Sequence, residues 1–429
     1  MTRQLNRRAV LGAGMLAGVA ACTSSPAPEP SPAFDADDWE SVRAQFTLDP
    51  AYGQFAAFVL APAPAPVRAA IERHRAGLDA DPHYLPAGNA SPDATVRETA
   101  ARFVGADARQ LALTDSTTMG LGLLYSGMRL KDGQDVLTTE HDFLATHEGV
   151  RLLADRTGAK VRRVRLYDDP AQASEARIVE AIKDGLGPRT RVVAVTWVHS
   201  STGVRLPIRA IADMLAEANR GRDEADRALL CVDGVHGFGA MADEMGDLGC
   251  DFMASGTHKW LFGPRGTGIL WGRAWDALAP VIPGFGRSSF VAWQRGEGPA
   301  ETTADLATPG GYKAFEHRWA MTQAFNFQKA IGKDRIQRRT QELATRLKSG
   351  LSALPHVRLA TPDSPGLSAG LVCCSIDGMD AAQAVSRLHG RKVIASTTPY
   401  VPSLLRFGTS IVTTPEQVDH AVEAVKGLA

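Results

Sequence analysis

Residues 255–268 read SGTHKWLFGPRGTG, and the lysine inside them decides how the rest of the chain is understood. Lys259 stands between a histidine and a tryptophan; small residues precede it and a glycine-rich turn leads away. A solvated surface lysine needs no such setting. A lysine that forms a covalent bond does, because its amine must be held against a partner and stripped of its proton. Upstream, ALLCVDGVH (228–236) is a hydrophobic run that ends in Asp233, with His236 just beyond. Ligands of α/β sheets bind outside the carboxyl ends of the strands. A buried aspartate there is costly unless it meets a cation.

Working outward, the pattern becomes regular from about residue 70. IERHRAGLDA and ATVRETAARFVGA read as amphipathic helices, and DVLTT (135–139) as a short strand. FLATHEGVRLLADRTG and ASEARIVEAIKDGLG follow as helices, then RVVAVTWV (191–198) as a buried strand. PIRAIADMLAEANR is a helix opened by Pro207, and GTGILWG (266–272) is a further strand. Alternating strands and helices predict an α/β fold whose mostly parallel sheet is covered on both faces. The pattern changes after residue 308. Long helices (FEHRWAMTQAFNFQKAIG, TQELATRLKSGLSAL) lead into short strands and helices that predict a small α+β domain. The expected division is a segment 35–69 beside the small domain, a large domain 70–307, and a linking helix with the small domain over 308–429.

The 429 residues are long enough for two domains, and 44% hydrophobic with 22% charged residues is ordinary for a globular enzyme. The formal net charge is zero, so no electrostatic footprint for nucleic acid is expected. Five cysteines at irregular spacing suggest neither a disulfide framework nor a zinc site, and no metal is expected. Residues 1–22, MTRQLNRRAVLGAGMLAGVAAC, have the layout of an export signal. Arg7 and Arg8 resemble a twin-arginine signal, and VAAC resembles a lipobox that would lipidate Cys22. Residues 23–34 are rich in proline, serine and alanine and read as a tether. The expectation is an exported, envelope-side protein held to a membrane only by a lipid on Cys22.

Pyridoxal phosphate answers the chemistry at both strand ends. Its protonated pyridine nitrogen is the cation for Asp233, and its aldehyde takes Lys259. VDGVHG followed by SGTHKWLFGPRGTG resembles the class V (fold type I) aminotransferases that use this cofactor. The likeness runs over roughly residues 45–425. Within that group the chain resembles isopenicillin-N-epimerase-like proteins, with cysteine desulfurases as more distant relatives.

The resemblance assigns further roles. TDSTTMGLG (114–122) leads from a strand into a helix, so Thr117, Thr118 and the amide of Met119 are candidates for the phosphate. An N-capping threonine is the alternative. His141 matches a histidine that stacks on the cofactor ring, and His236 one that contacts the phenolic oxygen. Ser200 falls where relatives face that oxygen or the substrate. His258 with Ser255 or Thr257 would serve the phosphate, since relatives often have serine where this chain has Gly256. Arg406, in LLRFGTS, matches the arginine that grips the substrate carboxylate with two parallel hydrogen bonds. Gly310 and Gly311 match a loop reaching the neighbouring subunit's phosphate, which implies a homodimer with sites at the interface.

The implied activity is transamination or epimerisation of an amino acid through a Schiff base at Lys259. Two alternatives stand beside it: a carbon–sulfur lyase, and a non-catalytic exported binding lipoprotein. KVIASTTPYVPSLLR (392–406) holds no cysteine, which speaks against a desulfurase that uses a loop thiol.

Overall fold

The computed structural model describes residues 32–86, 91–298 and 302–429. Arg7, Arg8, Cys22 and residues 23–31 of the tether lie outside the described residues. In chain order the strands are β1 (Gly53–Gln54), β2 (Leu111–Thr114), β3 (Asp135–Thr139), β4 (Lys160–Val164), β5 (Thr190–Thr196), β6 (Leu229–Asp233) and β7 (Phe252–Gly256). They continue as β8 (Gly268–Gly272), β9 (Val357–Leu359), β10 (Leu371–Ile376), β11 (Val393–Ile394), β12 (Ser396–Thr397) and β13 (Leu405–Gly408).

The large sheet has the order β2-β8-β7-β6-β5-β3-β4. β4, β3, β5, β6 and β7 are mutually parallel, while β8 runs antiparallel to both β2 and β7. The GILWG run is therefore the one reversed strand. Because β8 reverses between them, β2 and β7 point the same way. The carboxyl ends of β2, β3, β5, β6 and β7 consequently share one edge, and the site is built there.

Period-two alternation explains why these runs read as uniformly apolar. Val193, Val195, Leu230, Val232 and Met253 enter one core. Val192, Ala194, Leu229, Cys231 and Ala254 enter the other. The helices Thr117–Gly127 and Leu144–Thr157 cover the second face, with Leu121, Leu124, Tyr125, Val150 and Leu153 inside it. By the same alternation, Thr196 and Asp233 turn toward the face that holds Tyr125.

The four-stranded sheet β12-β13-β10-β9 is antiparallel throughout. Its core joins Val372, Cys374 and Phe407 to Leu343, Leu347, Leu388 and Val418 from three helices. The N-terminal segment divides among three cores, one of which joins Val42, Phe46, Ala57 and Ala61 to Phe262, Phe327 and Ile411. β1 pairs with β11 and Phe55 is buried in the small-domain core, whereas Val67 and Ala70 of the helix Ala65–Ala80 belong to the large core. The helix Phe315–Ile331 also belongs to the large core, through Ala320, Met321, Ala324 and Phe325.

The loop after β5 is stitched to the segment between β9 and β10. Arg205 N donates to Leu367 O (2.8 Å), and Thr361 Oγ1 donates to Thr202 O (2.7 Å). Between them Gly203 has φ +76°, and a Cβ there would lie 2.7 Å from both Leu371 O and Thr361 Oγ1. Backbone conformation and lack of room both demand glycine. Gly203→Ala is expected to lower stability by about 2–4 kcal/mol, read as a fall in the urea midpoint. An unchanged midpoint would contradict this close approach.

Candidate active site

A cavity of about 230 Å³ opens at the shared strand edge. Lys259, Asp233, His236, His258, Thr117, Thr118, Ser200 and Arg406 all line it. These residues, up to 289 positions apart in sequence, are thus brought together from five segments.

Lys259 sits just past β7. Burial, and then the Arg406 charge, bring its amine down to about 8 against the pull of Asp233. A much larger share of neutral, nucleophilic amine is present near neutral pH than in a solvated lysine. Asp233 is 1% exposed at the end of β6. Its Oδ1 accepts the Val235 amide (3.0 Å), and its Oδ2 has no protein partner. Burial raises this carboxyl to about 7, the Val235 bond works against the rise, and Asp142 adds to it. His236 Nδ1 accepts from Trp260 Nε1 (3.1 Å), which leaves its proton on Nε2. Burial and the nearby Lys259 and Arg406 charges keep this imidazole neutral.

At the other end of the cavity, the helix Thr117–Gly127 opens with Ser116 as its cap. The first intrahelical bond is Gly120 N to Ser116 O, so the amides of Thr117 and Thr118 precede the ladder and are placed for an anion. Met119 departs from the expectation: its amide donates to Ser116 Oγ (3.0 Å), as an N-cap requires.

The hydroxyls beside Lys259 also depart from it. Ser255 Oγ turns back to Gly256 O (3.2 Å), and Thr257 Oγ1 bonds Thr267 Oγ1. Neither residue lines the cavity. Gly256 instead lends its amide to Thr117 Oγ1 (2.7 Å), and a Cβ on it would come within 2.8 Å of the His258 ring. The side chain missing at Gly256 is the room that His258 occupies. His258 is neutral through burial, and its Nδ1 is buried with no protein partner.

His141 is placed differently from the expectation. It is not among the lining residues; its ring stacks on Tyr167 (3.9 Å between centroids), and its Nε2 accepts the Leu166 amide (3.2 Å). Phe143 and Ala145 line the cavity from the same loop and helix start. Gly310 and Gly311 line a separate surface groove of about 870 Å³.

Arg406 is 8% exposed on β13. Its Nε donates to Ser396 Oγ (3.2 Å), one terminal nitrogen donates to Ser200 O (3.1 Å), and the guanidinium lies 4.9 Å from the centre of the Phe58 ring. It makes no ion pair among the described residues. Ser200 Oγ bonds Tyr400 Oη (2.8 Å). The described cysteines are all buried. Cys373 pairs with Arg406 across β10 and β13, and burial pushes its thiol up to about 12.

Sequence reasoning missed the apolar walls, Phe143, Ala145, Val235 and Pro399, and the polar Ser116 and Thr196. Phe143 lay two residues from a chosen histidine. The others carry no signal in a single sequence, since only the fold shows which way they face.

Three features of the cavity fit pyridoxal phosphate. The bare, buried Oδ2 of Asp233 is an acceptor for a ring N–H. The helix-start amides and the bare His258 Nδ1 surround room for a phosphate. The depressed Lys259 amine suits an aldehyde.

Residues 90–420 match the family described as aminotransferase class-V, and the chain belongs to that family. It is 30% identical to isopenicillin N epimerase of Streptomyces clavuligerus over 410 residues, 91% of this chain and 98% of that protein. It is 27% identical to a cysteine desulfurase of Pectobacterium carotovorum, over 80% of this chain and 84% of that one. Among solved structures, a C-DES variant with glycine covalently linked to its PLP cofactor superposes with a TM-score of 0.79 at 21% identity, covering 90% of this chain and 98% of that one. An apo cysteine desulfurase from Thermococcus onnurineus NA1 gives 0.77 at 20% identity, covering 91% and 97%. These likenesses establish the α/β fold of the pyridoxal phosphate enzymes known as fold type I.

Asp233 makes stability pH-dependent in a specific direction. The folded chain keeps the carboxyl proton up to about pH 7, whereas the unfolded chain loses it near pH 4. Its contribution to stability therefore falls as pH rises from about 4 to about 7 and stays low above. Asp233→Asn, which keeps an acceptor for Val235, is expected to make the cofactor-free protein about 2–4 kcal/mol more stable than wild type at pH 8 and nearly equal at pH 4. Urea unfolding at the two pH values checks this; parallel curves would contradict the buried, raised carboxyl.

Proposed function

We propose that the chain is a pyridoxal-phosphate-dependent enzyme that transaminates or epimerises an α-amino acid, with Lys259 as its covalent anchor and proton carrier. The observation that carries the amino-acid assignment is Arg406, a buried guanidinium without a carboxylate partner among the described residues, in the same cavity as Lys259. A buried cation of this kind needs an anion to complete it, and a substrate carboxylate is the group that arrives with an amine attached.

Bound to Lys259, pyridoxal phosphate supplies an electron sink for the pair released when a bond to the α-carbon breaks. The chain's own groups do the rest. Asp233 Oδ2 holds the ring-nitrogen proton. His236 presents Nε2–H as a neutral donor. Thr117 and Thr118 hold the phosphate, and Phe143 with Val235 form apolar walls. Arg406 fixes the substrate carboxylate, and the released Lys259 Nζ takes the α-proton, a role that suits an amine held near 8. Return of the proton to the opposite face of the α-carbon would be epimerisation, and its permanent removal from the α-carbon would lead to transamination. The 30% identity to an isopenicillin N epimerase over nearly the whole chain supports the second route. A thiol-dependent desulfurase finds no exposed thiol among the described residues, since 392–406 holds no cysteine and Cys373 is buried and protonated. The comparisons lend no support to a non-catalytic lipoprotein.

The test is the visible spectrum of the purified protein, with a panel of amino acids scored for keto acid and racemate. A yellow band that is absent from Lys259→Ala is expected. Arg406→Gln is expected to lower kcat/KM by about 10²–10³-fold, mostly through KM. A wild type that stays colourless with added cofactor would falsify the proposal.

We also propose that the working form is a homodimer. Tyr312 is 95% exposed and borders the groove of Gly310 and Gly311, beside the half-exposed Phe285 and Phe290. Aromatic side chains in that setting mark an interface. Sedimentation is expected to give twice the chain mass, with Tyr312→Asp shifting it toward monomer; a monomeric wild type would exclude the dimer.

A further inference from the structure

Behind Asp233 lies a second buried carboxylate that the proposed chemistry leaves unused. Asp142 follows β3, is 1% exposed and makes no ion pair among the described residues. Its Oδ2 accepts three hydrogen bonds, from Thr138 Oγ1 (2.9 Å), Thr139 N (2.8 Å) and Thr139 Oγ1 (2.8 Å). Those bonds fold the turn. Its Oδ1 bonds no protein group, and a turn-forming role does not account for that bare oxygen.

The sheet order β6-β5-β3 puts Asp142 beyond a strand two places from the one that ends in Asp233, a separation of about 10 Å by strand spacing. Thr196, at the end of β5, stands between them and pairs in register with Asp233. Over the same face lies Tyr125, packed so closely on the helix Leu144–Thr157 that a Cβ at Gly149 would meet its ring at 2.7 Å. The side-chain oxygens of Tyr125, Thr146 and Thr196 are buried and bond no protein group, as are Asp233 Oδ2 and Asp142 Oδ1. Burial first, then Cys231, and then Asp142 and Asp233 raise the Tyr125 phenol.

The other neighbours leave the charge uncancelled. His199, bonded through Nδ1 to Tyr167 Oη (2.9 Å), is held neutral at about 3 by burial. His141 is also pushed down by burial. Lys259 and Arg406, the cations of the site, are on the cavity side of Asp233 and line the pocket, whereas Asp142 does not.

We propose that Asp142 is a positioning residue that acts through Asp233: its charge, acting through space across the buried face that also holds Thr196 and Tyr125, strengthens the hold of the site on a proton at the ligand's ring nitrogen. This rests on the reading that pyridoxal phosphate binds with that nitrogen at Asp233. No bond is made or broken by Asp142. A unit charge at about 10 Å inside a protein changes proton affinity by about tenfold.

The test uses the full chain stripped of cofactor, titrated at pH 7 by fluorescence quenching with two ligands: pyridoxal phosphate, and its 1-deaza analogue with carbon in place of the ring nitrogen. Asp142→Asn keeps an oxygen for the Thr139 amide while removing the charge. It is expected to weaken pyridoxal phosphate binding about tenfold and to leave the deaza analogue unchanged. Tyr125→Phe, which keeps the ring's packing, is expected to act in the same direction by about threefold, and it carries the test if Asp142→Asn does not fold. Equal losses for both ligands, or no loss for either, would overturn the role of Asp142 while leaving the cofactor assignment intact. A wild type that binds neither ligand would overturn the assignment itself.

Discussion

The structure turns on an unequal set of charges held out of water. Lys259 and Arg406 are two cations facing one acid, Asp233, on the cavity side. Burial disfavours the charged form of all three, and the shifts of Lys259 and Asp233 toward neutrality show the cost. Arg406 cannot follow them by giving up its proton, so it stays a cation awaiting an anion. Almost every other arrangement at the strand edge serves to keep this set dry and in place. Trp260 pins His236, Ser396 and the Ser200 carbonyl hold the guanidinium, and Tyr400 bonds Ser200.

Much of this was legible in the sequence because the relevant signals are short-range. Uniformly apolar runs such as VVAV and LLCV mean strands buried on both faces, and an aspartate closing such a run has few places to go. The lysine stretch gave the cofactor because an acid and an amine at neighbouring strand ends share one explanation. The reversed direction of β8 was not readable, since GILWG is apolar enough for either orientation. The division of the N-terminal segment among several cores was hidden too. β1 is only two residues long and is defined by its partner Val393–Ile394, more than three hundred positions away.

The site residues that moved did so for local reasons. Ser255 and Thr257 have hydroxyls of the right kind beside the lysine, but they turn toward Gly256 O and Thr267. Met119 was chosen for a free amide that the preceding serine caps. His141 had the right spacing from its strand, yet Tyr167 offers its ring a stacking surface, and Phe143 takes the cavity wall. In each case the residue type was suitable and a neighbour outside the motif decided its direction.

The aromatic file beside the site links its two cations. Trp260, next in the chain to Lys259, stacks on Phe58 (5.6 Å between centroids, 10° between planes), and the Arg406 guanidinium lies 4.9 Å from the centre of the same Phe58 ring. One uncharged ring thus touches both the chain neighbour of the amine and the guanidinium. Repacking at Phe58 would disturb the two cations together, so an apolar side chain holds in common what the charges themselves do not share.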